Sequence, residues 1–226
     1  MSAKTECPPL AVRITKSLLG YGAIAGPIYV VVAAGQILGR EGYDPTRHSV
    51  SQLANGPHGW IQVANFIVCG AMVVAAAVGI GRALGPGRQP MAISVLIGGY
   101  GVALMVAGLF RADPARGFPP GTPQEAAPLS WQGTIHLAVA GLGFLSVVVA
   151  SFVLAQFLRH RGEQGWALFS AITGSVFAAS FVALSSGAGG GTPVLVFTAA
   201  VVLLWLWLSA VSVKLYREAG QRSASA

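Results

Sequence analysis

Residues 42–80 read GYDPTRHSVSQLANGPHGWIQVANFIVCGAMVVAAAVGI, a polar segment that passes at Trp60 into a long run without a charge. A helix rising about 1.5 Å per residue crosses about 30 Å of hydrocarbon in roughly 20 residues, and residues 60–80 meet that length. Working outward, five more runs free of Asp, Glu, Lys and Arg occupy residues 18–38, 91–110, 131–158, 166–186 and 193–213. Membrane strands would be about half as long and would alternate in polarity, and these runs do neither. With 54% hydrophobic and 9% charged residues in a chain of 226, there is too little polar surface for a soluble domain. The expected fold is all-α: a polytopic membrane protein with a bundle of six transmembrane helices. Residues 18–214 form its one membrane domain, flanked by short tails at 1–17 and 215–226. The first run exceeds a signal-peptide core of about 7–15 residues, so it reads as a retained anchor.

Six spans put both termini on one side, and the basic residues choose which side. That side carries ten of the fourteen Lys and Arg (Lys4, Arg13, Lys16, Arg82, Arg88, Arg159, Arg161, Lys214, Arg217, Arg222) and three acids (Glu6, Glu163, Glu218), a net +7. The other side carries Arg40, Arg47, Arg111 and Arg116 against Glu41, Asp44, Asp113 and Glu125, a net of zero. Both termini are therefore expected to be cytoplasmic, in a multi-pass plasma-membrane protein whose basic helix ends contact anionic lipid. The basic residues are spread over helix ends and form no clustered face, which argues against a nucleic-acid partner. Cys7 in the tail and Cys69 in the second span are placed too far apart to pair, so no disulfide framework is expected.

Chemistry-bearing residues gather on the outer side. The first outer loop holds Asp44, Arg47, His48, Ser49, Ser51, Gln52 and His58 ahead of Trp60, and the second holds Arg111, Asp113 and Arg116 ahead of Trp131. Asp-Pro-Thr-Arg at 44–47 and Asp-Pro-Ala-Arg at 113–116 suggest that the first hairpin is repeated as the second; the third outer turn, 187–192, has no ionisable group. His136 is the one histidine inside a span, about a turn below the surface. An ionisable residue there is either hydrogen-bonded to a neighbouring helix or part of a site. His48, Asp113 and His136 are the candidate catalytic groups and the candidate ligands of a zinc-like metal, although no His-x-x-x-His or Cys-x-x-Cys spacing accompanies them. Asp44, Arg47, Ser51, Arg111, Arg116, Trp60 and Trp131 are the candidate binding residues. The plainer reading is that Asp44 and Asp113 cap turns, with the arginines paired to them or to lipid phosphate. No nucleotide loop, nucleophile elbow or zincin motif occurs, and no cofactor is specified. In the first span, Gly22 and Gly26 suit close helix approach inside the bundle.

The elements His48-Ser49-Val50-Ser51-Gln52-Leu53, Gly59-Trp60, Gly108-Leu109-Phe110-Arg111-Ala112-Asp113-Pro114 and His136, in that order, resemble the family catalogued as domain of unknown function 998. The resemblance covers about residues 18–214. It implies a six-span prokaryotic membrane protein with a shared set of outer-face motifs, and it implies no activity. Two function classes follow: a binding, structural or accessory membrane protein in which the motifs hold the outer loops closed, or a membrane-embedded enzyme, metal-dependent or not, acting on a lipid at an outer pocket. That pocket is expected between the first two outer loops and the tops of spans two, three and four. A protein partner in the membrane remains open, and the lack of charged mid-membrane groups and broken helices disfavours a transporter.

Overall fold

In the computed structural model, residues 9–125, 128–186 and 191–224 are described, with side chains to residue 219; Lys4, Glu6, Cys7 and most of the third outer turn lie outside them. Six helices run α1 Leu10–Gly39, α2 Gly59–Leu84, α3 Arg88–Leu109, α4 Trp131–His160, α5 Gln164–Ser185 and α6 Thr192–Ala224, and no strand occurs among the described residues. All six are long and apolar enough to cross a membrane. Even the shortest, α3 and α5 at 22 residues, reach about 33 Å. The protein is thus an all-α, multi-pass membrane protein.

Helix ends fall where the backbone demands it. Gly85 (φ +94°) and Gly87 (φ +141°) turn the chain between α2 and α3 in conformations that side chains resist. Pro90 then sits in the first turn of α3, where its missing N–H is not needed. Two helices run far past the expected spans. α1 begins directly after Pro9, inside the stretch read as a tail, and α6 continues to Ala224. Helices need not stop at the hydrocarbon boundary, and α6 is supported beyond it by Lys214, which pairs with Glu218 one turn on and with Glu163 ahead of α5. Pro27 interrupts the bonding ladder of α1 without ending the helix.

Each helix packs on the next, α6 returns to α1, and α2 also reaches α6, so the six close into a ring. Membrane helices gain little from burying one another's alkyl groups, since lipid is equally apolar; close backbone approach and interhelical hydrogen bonds hold them. At the α2–α3 crossing a Cβ on Gly70 would lie 2.6 Å from the Gly101 carbonyl, and one on Gly101 would lie 2.7 Å from that of Gly70. Gly22 and Gly26 serve internal packing as expected: both face α6, where a Cβ on Gly26 would meet the Trp205 carbonyl. Bonds from Ser94 to Ala77 O, from Ser146 to Leu96 O and from Trp207 Nε1 to Ser170 Oγ cross between helices. Each contributes on the order of 0.6 kcal/mol.

Candidate functional site

The face bearing residues 40–58 and 110–130 is termed the motif face; the opposite face carries both ends of the described chain. On the motif face the Asp-Pro turn builds itself. Asp44 Oδ1 accepts from the Thr46 N–H (2.8 Å) and the Thr46 hydroxyl (2.6 Å), and these donors, the hydroxyl first, hold the carboxyl below its usual range. The turn brings the His48 ring back over its own start. Nδ1 accepts from the Asp44 N–H at 2.9 Å, and Nε2 lies 3.1 Å from the Arg116 carbonyl of the second loop. A nitrogen that accepts from an N–H carries no proton, so the neutral ring holds its proton on Nε2 and donates it to Arg116. His48 is 2% exposed, and both its nitrogens are bound to backbone.

Other groups tie the two loops into a lid. Arg40, at the end of α1, donates to Leu53 O (3.1 Å) and Asn55 O (2.5 Å) and lies over the Phe118 ring. Asn55 Nδ2 donates to Ala112 O, and Arg47 donates to Gln124 Oε1. Phe118 is fully buried beneath the lid, with Tyr43 edge-on to it and His48 tilted against it. Arg116 (φ +54°) and Gly117 (φ +86°) make the tight reversal that points Phe118 inward. The short 3-10 turn Val50–Ala54 forms part of the underside, with Leu53 and Ala54 buried.

Asp113 holds the Ser130 cap of α4, and His136 caps the end of α3. Asp113 accepts from the Ser130 N–H (2.8 Å) and hydroxyl (2.6 Å), while Ser130 Oγ accepts from the Gly133 N–H (3.0 Å). A carboxylate thus sits at the positive end of α4, so close that any Cβ at Gly133 would collide with it. In return, His136 Nδ1 stands 2.8 Å from the carbonyl of Phe110, the residue that ends α3, and 3.1 Å from that of Ala107 in its last turn. Carbonyls only accept, so Nδ1 carries the proton and Nε2 is left with its lone pair.

The three expected catalytic or metal-binding groups therefore do not form one centre. His48 serves the lid, and Asp113 and His136 serve the ends of α4 and α3; among the described residues no group of three or more His, Cys, Asp and Glu side chains is placed to hold a metal ion. Helix ends and a tight turn supply donors and acceptors that take up these side chains first. Of the candidate binding residues, Asp44 is taken up by its own turn, and Arg47, Arg111 and Arg116 are exposed. No ion pair joins these arginines to Asp44 or Asp113 among the described residues, so of the two partners expected for them the aspartates are not used. Trp60 (67% exposed) and Trp131 (65%) stand at the tops of α2 and α4, facing outward as interfacial tryptophans do. His58, also exposed, joins no cluster.

Beneath the lid lies a cavity of about 510 Å³ that extends deeper than the expected pocket and draws on every helix of the ring. Its lining is mostly apolar and aromatic and, among the described residues, includes no Asp, Glu, Lys or Arg. Ser49 and Ser51, bonded to each other at 3.0 Å, line the part nearest the lid. His136, 3% exposed, lines it with no protein hydrogen bond on Nε2 among the described residues. Tyr100 and Thr198 line it too, and their hydroxyls have no hydrogen-bond partner there. Phe144, Phe181 and Phe197 pack against one another on one wall. Two lining residues, Leu137 near the start of α4 and Ser185 at the end of α5, are also exposed.

Sequence reading passed over a second polar feature. Gln36 Nε2 donates to Gln62 Oε1 (2.8 Å), Asn65 donates to Gln62 Oε1 and Tyr29 O, and Cys69 donates to Asn65 Oδ1, giving a buried ladder between α1 and α2. Gln36 Oε1 finds no hydrogen-bond partner among the described residues, and Gln62 Nε2 stands beside Tyr29, another cavity residue. Its signal was present: Gln36, Gln62 and Asn65 are the only amide side chains in the first two spans.

Comparison with known proteins agrees with the motif order. No curated protein and no solved structure matches the chain. A family model described as "Protein of unknown function (DUF998)" matches residues 23–214, from the middle of α1 into the last third of α6. A match across all six helices, both motif loops and His136 means that this chain belongs to the DUF998 family.

Proposed function

We propose that the protein is an intramembrane binding protein, which holds an apolar molecule in the cavity beneath a lid closed by its motif residues. The observation that carries this reading is the bonding of His48, Asp113 and His136 Nδ1 to the backbone of loops and helix ends, above an uncharged cavity. Groups so engaged shape a binding site; a general base must be free to take a proton from its substrate. The cavity falls in the range of about 300–1,000 Å³ usual for small-molecule sites, and its mixture of aromatic walls with few polar atoms is usual too. The motif face is extracytoplasmic in this reading and the membrane is the plasma membrane, because the opposite face carries the excess of Lys and Arg.

A lipid-modifying enzyme is the second reading, favoured by the unbonded imidazole nitrogen in the cavity lining, Nε2 of His136. It lacks a partner: the described lining adds neither a carboxylate nor a second imidazole. The test is thermal unfolding of delipidated protein titrated with hexadecanol and with hexadecyl methyl ether. Saturation at about 100 Kd stabilises a protein by roughly 2.7 kcal/mol, which for this chain length raises Tm by about 5–10 °C. Ala140→Trp, which fills the cavity, is expected to stay folded and to abolish the shift. No shift in the wild type with either compound, nor with hexadecyl phosphate or dioctanoylglycerol, overturns the reading.

A further inference from the structure

Resting on that binding reading, we infer that the cavity takes an uncharged lipid with a free hydroxyl, held through a hydrogen bond from the lipid O–H to Nε2 of His136. Both carbonyls at Nδ1 fix the tautomer, so Nε2 presents a lone pair to any ligand and no proton. The ring is 3% exposed and lines the cavity, so an occupant that displaces water and offers no donor leaves that lone pair unsatisfied. The occupant must therefore donate.

Charge narrows the class further. With no Lys or Arg in the described lining, a phosphate or carboxylate head would be buried without a counter-ion; with no Asp or Glu, an ammonium would be as well. A hydroxyl carries no such penalty and matches what remains. One of Ser49 and Ser51 donates to the other, which leaves one hydroxyl hydrogen of the pair free to donate to the ligand oxygen. The head would thus give a bond to His136 and receive one from the serine pair, beneath the lid.

The apolar body follows the wall downward. From His136 to Phe144 the lining descends eight residues of α4, about 12 Å, less than the roughly 15 Å of half a bilayer core. A longer chain would leave by a mouth between Leu137 and Ser185, lining residues that are also exposed, and continue among the lipids. Single-chain alcohols and diacylglycerol share this head chemistry.

The experiment is equilibrium binding to the purified full-length protein, delipidated in detergent, of hexadecanol, hexadecyl methyl ether, hexadecyl phosphate and dioctanoylglycerol. The expected result is that hexadecanol binds about tenfold more tightly than its methyl ether, the usual scale of one buried neutral hydrogen bond, and the phosphate more weakly than either. His136→Leu is expected to remove the preference for the alcohol while the ether still binds. A preference for dioctanoylglycerol over hexadecanol keeps the hydroxyl class and assigns it to a two-chain lipid. Equal binding of alcohol and ether, or tighter binding of the phosphate, overturns the assignment and leaves the binding reading standing. Failure of all four overturns the binding reading itself. The alcohol–ether comparison is made on the wild type, so it stands even where the His136 variant does not fold.

Discussion

Asp44 accepts two hydrogen bonds from Thr46, and these set how the lid responds to acid. The hydroxyl and then the backbone N–H hold its carboxyl below the ordinary value of 3.8, and the positive charge of Arg47 acts in the same direction. A carboxyl whose folded value is depressed stabilises the fold above its unfolded value, and the contribution is lost as pH falls through the folded value. Lid stability is therefore expected to hold at neutral pH and to decline below about pH 4, and Asp44→Asn should lack that part of the decline. Thermal unfolding of the two proteins between about pH 6 and pH 3 checks this. Parallel curves would mean that the turn does not depend on the ionised carboxylate. His48 adds its own constraint: a proton on Nδ1 would face the Asp44 N–H, donor against donor.

The ends of α3 and α4 are joined at two points, since Asp113 follows α3 and holds Ser130, the N-cap of α4, while His136 belongs to α4 and caps α3. Asp113→Ala removes both bonds to Ser130 and leaves the Ser130 cap without its support, so it is expected to lower stability by about 1 kcal/mol. Gly133→Leu should cost more, because its side chain must expel the carboxylate as well as lose the cap. Unfolding of both variants in detergent tests the order; a milder effect at Gly133 would mean that Asp113 can move aside. These elements also show what the chain discloses before folding. Apolar run length is a local property, so six helices and the Gly85–Arg88 turn are legible in the residues themselves. Partners are not local. His48, Asp113 and His136 look like an acid–base set because their types fit one, yet the acceptors that claim both imidazoles are main-chain carbonyls, identical at every position of a sequence. The cavity is hidden for a similar reason. Tyr100 and Phe144 sit in unremarkable apolar runs, and only the closing of α6 onto α1 brings them around a common space.

At the scale of the whole molecule, the lid and the mouth proposed between Leu137 and Ser185 would be two routes to one cavity, and they differ greatly in what opening would require. Opening the lid breaks the bonds of Arg40 to Leu53 and Asn55, of His48 to Arg116 and of Asn55 to Ala112, and withdraws Phe118 from a fully buried position. The mouth needs only side-chain movement, because Leu137 and Ser185 are already exposed between the ends of α4 and α5. A ligand dissolved in the bilayer reaches the mouth without leaving the hydrocarbon. Exchange is therefore expected to run laterally: Leu137→Trp should slow release of a bound hexadecyl compound by about tenfold or more, as a barrier higher by about 1.4 kcal/mol requires. His48→Ala, which loosens the lid, should leave the release rate within about twofold while lowering Tm. Stopped-flow release into empty vesicles separates the routes. Faster release from the His48 variant with no change in the Leu137 variant would place the path through the lid, and the interlocked loops would then be a gate where the bonding pattern describes a fixed roof.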